Sequence, residues 1–327
     1  MTSMPSLHIG GLEAKLPIIQ GGMAVRISLA PLAAAVANEG GIGLIAASGI
    51  GPAELVEHIR EARQLSNGII GINVMVAVRE FAELVKAAIA EKIDLVVAGA
   101  GFSRDIFAWC RGAGVAIVPI VASERVARLS EKFGADAVIV EGKEAGGHLG
   151  TTESLKTLLP GIVQAVKIPV IAAGGILTGT DIYNALAQGA KGVQIGTRFA
   201  MSKESSASAA MKQMWVRATG SIVSGLSPTG FPSRAIDTTS LGDLPKLGKE
   251  LKCDRCLKHC SHREKGVKCC IIKALTNAQE GEVDHGLVFC GERIGEISDI
   301  LPVKEIMSGL RREYEACVRL GVVPCAG

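Results

Sequence analysis

The stretch Pro169–Ala200, PVIAAGGILTGTDIYNALAQGAKGVQIGTRFA, holds one complete structural repeat. A short apolar run, Pro169–Ala172, ends in Ala173-Gly174-Gly175. An amphipathic segment follows, and a second apolar run, Gly192–Ile195, ends in Gly196-Thr197-Arg198. Apolar runs of four or five residues are too short for helices. Without polar alternation, they fit parallel strands buried on both faces. The same rhythm extends back along the chain through Pro17–Gln20, Ile42–Ala46, Ile70–Val74, Leu95–Ala98, Ala116–Val121 and Ala137–Val140. The segments between them carry helix punctuation. Pro52–Leu65 opens on Pro52 and sets Leu55, Ile59 and Ala62 on one face. Phe102–Gly112 begins beside Ser103 as a cap, and Ser123–Phe133 runs from a capping serine to Gly134. Eight strand-and-helix units between Pro17 and Phe199 close most naturally into a (β/α)₈ (TIM) barrel, because closure leaves no unpaired edge. An open doubly wound sheet is the competing α/β arrangement.

Beyond Phe199 the rhythm stops. Ser202–Ala218 reads as a further helix, Gly220–Leu251 as turns, and Cys270–Gln279 and Val303–Leu320 as helices. The expected organisation is a barrel over residues 1–220 and a cysteine-containing extension over 221–327, packed as a lid on the barrel mouth.

Composition narrows the function classes. The chain has 327 residues, 48% hydrophobic and 20% charged, an ordinary globular balance. A net charge of +3 without a basic block argues against nucleic acid or an anionic membrane as partner. With 3% aromatic residues, stacking platforms for bases are not expected either. The N-terminus lacks the pattern of a signal peptide, and no run reaches ~18 apolar residues, so a cytoplasmic location is expected. The nine cysteines then read as thiols or metal ligands rather than disulfides.

Chemistry concentrates at the strand ends. Gly174-Gly175 and Gly196-Thr197 follow the seventh and eighth strands, where backbone N–H groups in this fold converge on a phosphate. A nucleoside monophosphate or FMN would fit such a cup. Gly21-Gly22-Met23 after the first strand lets a flat ring lie against backbone. Asn73 and Gln194 supply amides at the same face. In the sixth loop, Glu141-Gly142-Lys143-Glu144-Ala145-Gly146-Gly147-His148, a histidine sits among glycines where it can reach a substrate and move protons near neutral pH. His148 is therefore the candidate catalytic residue. An inosine-monophosphate-dehydrogenase-like reaction would need a cysteine in that loop, and there is none. A non-catalytic flavin sensor would share the phosphate cup but gives no role to His148.

Taken together, Gln20-Gly21-Gly22-Met23, Glu144-Ala145-Gly146-Gly147-His148, Gly174-Gly175 and Gly196-Thr197-Arg198-Phe199 resemble the nitronate monooxygenase (2-nitropropane dioxygenase) family, which includes FMN-dependent enoyl-(acyl-carrier-protein) reductases. The resemblance spans roughly residues 10–220. It implies FMN held by Gly22, Met23, Asn73, Glu141, Gly146, Ala173, Gly174, Gly175, Gln194, Gly196 and Thr197. It further implies oxidation of an alkyl nitronate with O₂ to a carbonyl compound and nitrite, with His148 binding or deprotonating the carbon acid. The alternative it implies is reduction of an enoyl thioester by NAD(P)H, with acyl carrier protein as partner. Where well-known monooxygenases of the family carry a lysine, this chain reads Ile120-Val121-Ala122-Ser123. Its Gly281-Glu282-Val283-Asp284 is closer to the reductases. Barrels of this type often associate, so a homodimer is compatible with this reading.

Cys253-x₂-Cys256-x₃-Cys260, with Cys269-Cys270 beyond it, has metal-ligand spacing. The run is similar to the cluster-binding stretch of flavin-dependent dienoyl reductases, with a shorter last gap. Cys253, Cys256, Cys260 and Cys269 are the expected ligands of an iron–sulfur cluster or zinc, with His259 and His262 as zinc alternatives. Structural thiols without metal are the third reading.

Overall fold

The computed structural model describes residues 3–224, 232–236, 253, 255–266 and 270–322. Most of Gly220–Leu251, read above as turns, and Cys269 lie outside the described residues. A hairpin of β1 (Leu7–Ile9) and β2 (Leu12–Ala14) precedes the barrel. Eight parallel strands then close on themselves. They are β3 (Ile18–Gln20), β4 (Ile42–Ala46), β5 (Ile69–Met75), β6 (Leu95–Gly99), β7 (Ala116–Val121), β8 (Val138–Glu141), β10 (Val170–Ala173) and β11 (Gly192–Ile195). Each lies within two residues of the run read from the sequence. The two-residue strand β9 (Gly147–His148) belongs to a separate small sheet described below.

The continuous apolar runs have a direct physical cause. Ile19, Ile139 and Ile171 point into the barrel with Leu44, Leu95 and Val97, while their neighbours Ile18, Val138, Val140, Val170 and Ala172 face the outer helices. Both faces are buried, so no position along these strands favours a polar residue. Leu7, Ile9 and Ala14 of the hairpin join the interior cluster and cap the barrel at the end opposite the strand C-termini. The sequence reading did not find that hairpin.

The helices bury the faces their periodicity assigns. Helix α1 is Ala30–Asn38, and α2, Pro52–Leu65, buries Leu55, Ile59 and Ala62. Helix α3 is Phe81–Ala90. Helix α4 is Asp105–Ala113 and starts three residues later than expected; Ser103 does not cap it, since the N-cap position is Arg104 and no side chain bonds there. Helix α5, Glu124–Phe133, is capped by Ser123, whose hydroxyl accepts from the Val126 N–H, and ends at Gly134 in the left-handed region. Helix α6 is Leu155–Ala165, and α7, Gly179–Ala187, opens with a reciprocal Thr178–Asp181 capping box. The short α8 is Thr197–Ala200, and α9 is Ala209–Arg217, capped by Ser208 and half the length of the segment read from sequence.

The chain after α9 divides between two places. Strands β12 (Ile222–Ser224) and β13 (Ser233–Ala235) pair with each other, and β13 pairs with β9. Helices α10 (Ser261–Glu264) and α11 (Ile271–Glu280) follow. The last helix, α12 (Val303–Leu320), packs on α7 and α1 and buries Val303, Ile306, Met307, Leu310 and Tyr314 in the main core. It is part of the barrel's outer layer rather than of a lid.

Two features fix the closure. Gln20 lies fully buried, and its side chain donates to the Leu44 carbonyl at 3.2 Å and accepts from the Leu44 N–H at 3.1 Å. It supplies bonds where β3 and β4 share only the Ile19–Ile42 pair. At Gly43 a Cβ would stand 1.9 Å from the Ala33 carbonyl oxygen, so α1 rests directly on the β4 backbone. We therefore expect Gly43→Ala to destabilise the protein by about 2–4 kcal/mol, the range of core overpacking and strain. Gly112→Ala, inside α4 with nothing within 4 Å of the new methyl, should be neutral or stabilising by about 0.5–1 kcal/mol. Urea unfolding of the two variants checks the pair.

Candidate active site

A cavity of about 540 Å³ opens at the C-terminal ends of the barrel strands. Its lining includes His148 and all eleven residues associated above with a cofactor: Gly22, Met23, Asn73, Glu141, Gly146, Ala173, Gly174, Gly175, Gln194, Gly196 and Thr197. These positions come from strands β3, β5, β8, β10 and β11 and the loops that follow them.

On one side the walls are built from backbone. Gly174 and Gly175 have φ of 105° and 70°, conformations that only glycine adopts freely, and they turn the chain out of β10. Gly196 is open, since a Cβ added there would meet only the Met23 sulfur, at 3.9 Å. Residues 290–293 are stitched over this side. The Gly291 N–H donates to Thr197 Oγ1 at 2.9 Å, and the Glu292 N–H donates to the Glu144 carbonyl at 3.0 Å. Arg293 donates to the Gly175 carbonyl at 2.7 Å and to Asp181 Oδ2 at 2.8 Å, with Glu296 on its other edge. Asp181 also caps α7 through the Thr178 N–H. The guanidinium is thus held beside the glycine turns by two carboxylates, Glu296 and Asp181, which raise its pKa further.

The opposite wall suits a flat ring. At Gly22 a Cβ would lie 2.1 Å from the Asn73 Cβ, and at Gly21 it would lie 3.3 Å from the Gln194 Cγ. Backbone therefore forms the surface. The Met23 N–H donates to Ser28 Oγ at 2.9 Å, fixing the loop. Gln194 is 8% exposed, and its Oε1 has no partner among the described residues. An unpaired buried amide oxygen is costly, and a bound donor would satisfy it. The glycine turns, the close backbone approach at Gly21 and Gly22 and this unpaired oxygen together fit a planar, phosphate-bearing cofactor such as FMN.

Two ionisable groups face the same space, and desolvation favours the neutral form of each. Glu141, the last residue of β8, has its carboxyl raised to about 7 by burial. Burial lowers His148 to about 4. His148 is held on β9, opposite Ser233 of β13, and its ring meets Phe289 edge-on, with centroids 5.5 Å apart and planes at 72°. Phe289 is fixed in turn by Trp215, whose Nε1 donates to the Phe289 carbonyl at 2.9 Å. Trp215 packs, as its spacing suggests, and also borders the cavity.

The cavity is also lined by the apolar side chains of Phe102, Ile120, Leu149, Leu257, Ile271, Leu275 and Phe289. Sequence reasoning missed Phe289, Arg293, Leu257 and Ile271, which lie far from the barrel motifs. The only signal for them was the Gly281–Asp284 wording just upstream of Phe289. Cys110 is fully buried in the core, as expected. Of the expected metal ligands, Cys253 is exposed, and Cys256 and Cys260 are half-buried. Among the described residues, no three His, Cys, Asp or Glu side chains stand arranged around a metal position. No helix among them is long and apolar enough to cross a membrane.

The chain has clear relatives among known proteins. The family model described as nitronate monooxygenase matches residues 6–106 and 77–313. The chain is 31% identical over 233 residues to a protein of Rhodococcus jostii named (3aS,4S,5R,7aS)-5-hydroxy-7a-methyl-1-oxo-octahydro-1H-indene-4-carboxyl-CoA dehydrogenase. That match covers 71% of this chain and 65% of the relative, just under two thirds of its length. It is 30% identical over 288 residues to a Staphylococcus aureus protein named "Probable nitronate monooxygenase", covering 72% and 81%. The structure of FabK from Thermotoga maritima superposes with a TM-score of 0.84 at 33% identity, over 95% of this chain and 96% of that one. A nitroalkane oxidase from Streptomyces ansochromogenes, at 24% identity and a TM-score of 0.80 over 95% and 98%, shares the fold.

The linkage of Glu141 to folding is testable. Its folded pKa lies above its unfolded value of 4.5, so its contribution to stability is complete below 4.5 and is lost as pH rises through about 7. We expect Glu141→Gln to gain on the wild-type apo-protein by roughly 2–3 kcal/mol between pH 4.5 and 8. Denaturant melts across that range should show the gap widening with pH; a constant gap would contradict the shift.

Proposed function

The chain belongs to the nitronate monooxygenase family, and from that premise we propose that it is an FMN-dependent oxidoreductase acting on a carbon centre beside a thioester carbonyl. The observation that carries the reading is the largely apolar lining of the cavity that holds His148, which suits an acyl chain better than a small nitronate anion. Ile120 lines the same cavity where a lysine would mark the well-known monooxygenases. The similarity to FabK, and to a dehydrogenase whose name specifies a carboxyl-CoA compound, supports the same substrate class.

FMN, when bound, supplies the two-electron redox chemistry. The chain supplies everything else. Gly174, Gly175, Gly196 and Thr197 would hold the phosphate end, while Gly22, Asn73 and Gln194 would orient the ring. Phe289, Leu149 and Ile271 exclude water from the reacting carbons, which strengthens each hydrogen bond made there. In net terms an enoyl thioester, NAD(P)H and a proton give the saturated thioester and NAD(P)⁺. His148 is the group placed to hydrogen-bond the substrate carbonyl. Because burial keeps the imidazole neutral down to about pH 4, it works without its own charge through the physiological range. The donor NAD(P)H and an acyl carrier protein or coenzyme A as the thioester handle belong to this proposal.

Nitronate oxidation with O₂ is the second reading. The family's own description points that way, with His148 contacting a nitronate that arrives already deprotonated, because an imidazole lowered to about 4 by burial is a weak base. Anaerobic titration separates the two. NAD(P)H should bleach the bound flavin and an enoyl thioester should restore it. Reduction by an alkyl nitronate alone, with no response to NAD(P)H, would reverse the order. We expect His148→Ala to lower kcat by about 10²–10⁴ with little change in flavin content; unchanged kcat would remove His148 from the chemistry.

A further inference from the structure

Residues 290–293 run along the cavity at its glycine turns and touch three of the loops that follow barrel strands. After β8, a Cβ at Gly146 would lie 2.6 Å from the Cys290 carbonyl carbon, so backbone rests on backbone there. The Glu292 N–H bonds to the Glu144 carbonyl in the same loop. After β11, the Gly291 N–H donates to Thr197 Oγ1, which leaves the Thr197 hydroxyl its own proton to give to a ligand. After β10, Arg293 completes the closure. Its Nη1 donates to the Gly175 carbonyl at 2.7 Å and to Asp181 Oδ2 at 2.8 Å. Its Nε and Nη2 donate to the two carboxylate oxygens of Glu296 at 2.8 and 2.6 Å. Four of its five N–H groups are thus in use. Two carboxylates around one guanidinium give a net negative charge, so Arg293 is not a spare cation for a phosphate. It acts as a pin. Arg293 lines the cavity, whereas Glu296 lies outside that lining and is 55% exposed, so the pair forms the wall between this end of the cavity and solvent.

We propose that Arg293 is a specificity-determining residue for the cofactor: it pins residues 290–293 across the glycine-turn end of the cavity, so that FMN is accepted and FAD is refused. This rests on the reading of the cavity as an FMN site with its phosphate at the glycine turns. FMN ends at its phosphate, whereas FAD continues from that phosphate through a second one to adenosine. With the first phosphate beside Gly174, Gly175, Gly196 and Thr197, the extension would have to leave through the junction of Arg293 with Gly175 and Asp181. Opening that junction breaks a two-bond fork to Glu296 and the bonds to Gly175 and Asp181 together. It would also leave the Asp181 and Glu296 carboxylates facing a pyrophosphate, like charge against like, which is a repulsive element against the wrong ligand.

The test uses the full chain stripped of flavin and titrated separately with FMN and FAD, with flavin fluorescence reporting affinity and the rate of FMN release. The wild type should prefer FMN by at least about a hundredfold. Arg293→Ala, which removes the pin and opens a gap, should narrow that preference by about tenfold or more and release FMN about tenfold faster. Glu296→Gln, which weakens the fork and leaves the Gly175 and Asp181 bonds, should fall between the two, and it carries the test if Arg293→Ala fails to fold. The ratio of the two affinities is the diagnostic quantity, because general damage to the cavity weakens both flavins and leaves the ratio unchanged. Equal affinity of the wild type for FMN and FAD, or an unchanged ratio in the variants, would overturn the role of Arg293 and leave the FMN reading standing. A wild-type apo-protein that takes up neither flavin would overturn that reading, and the role of Arg293 with it.

Discussion

Eight parallel strands buried on both faces leave their backbone groups unpaired only at the two ends of the barrel. At the N-terminal end the Leu7–Ala14 hairpin fills the opening with side chains. At the other end the strands stop at Gln20, Ala46, Met75, Gly99, Val121, Glu141, Ala173 and Ile195, and several of the turns that follow are rich in glycine. Those turns are where backbone N–H groups are free to meet a ligand, so the position of the site follows from how the sheet closes.

What closes that end decides its chemistry. Residues 289–293 cross the mouth, held by Thr197, Glu144, Gly175 and Asp181, and bring Phe289 against His148. Burial is the cause of both titration shifts at this site. The same desolvation raises a carboxyl and lowers an imidazole, because in each case it penalises the charged form. A desolvated site with a largely apolar lining penalises any charge that is not paired there.

The barrel was legible because its strands repeat one local rule, an apolar run ending in glycine or another small residue, and because several helices carried their own stop or cap. Many of the residues that line the cavity were legible for the same reason, being the punctuation itself. The hairpin escaped because three-residue strands show too little alternation to read. Ser103 misled because a serine near a helix start caps only if the backbone turns at that residue, and here it turns later. The long helix expected over Ser202–Ala218 shrank because Ser205 turns inward, its hydroxyl donating to the Ala200 carbonyl at 2.6 Å. Arg293 and Phe289 act through contacts with elements far away in sequence, and local pattern does not encode such distances.

The most direct measurement is the identity and amount of flavin released from the purified protein by denaturation, by chromatography and mass. The account predicts FMN at close to one per chain, with Gly174→Val reducing it severely because the left-handed turn cannot form. FAD in its place, or no flavin after reconstitution with FMN, would contradict the reading of the cavity.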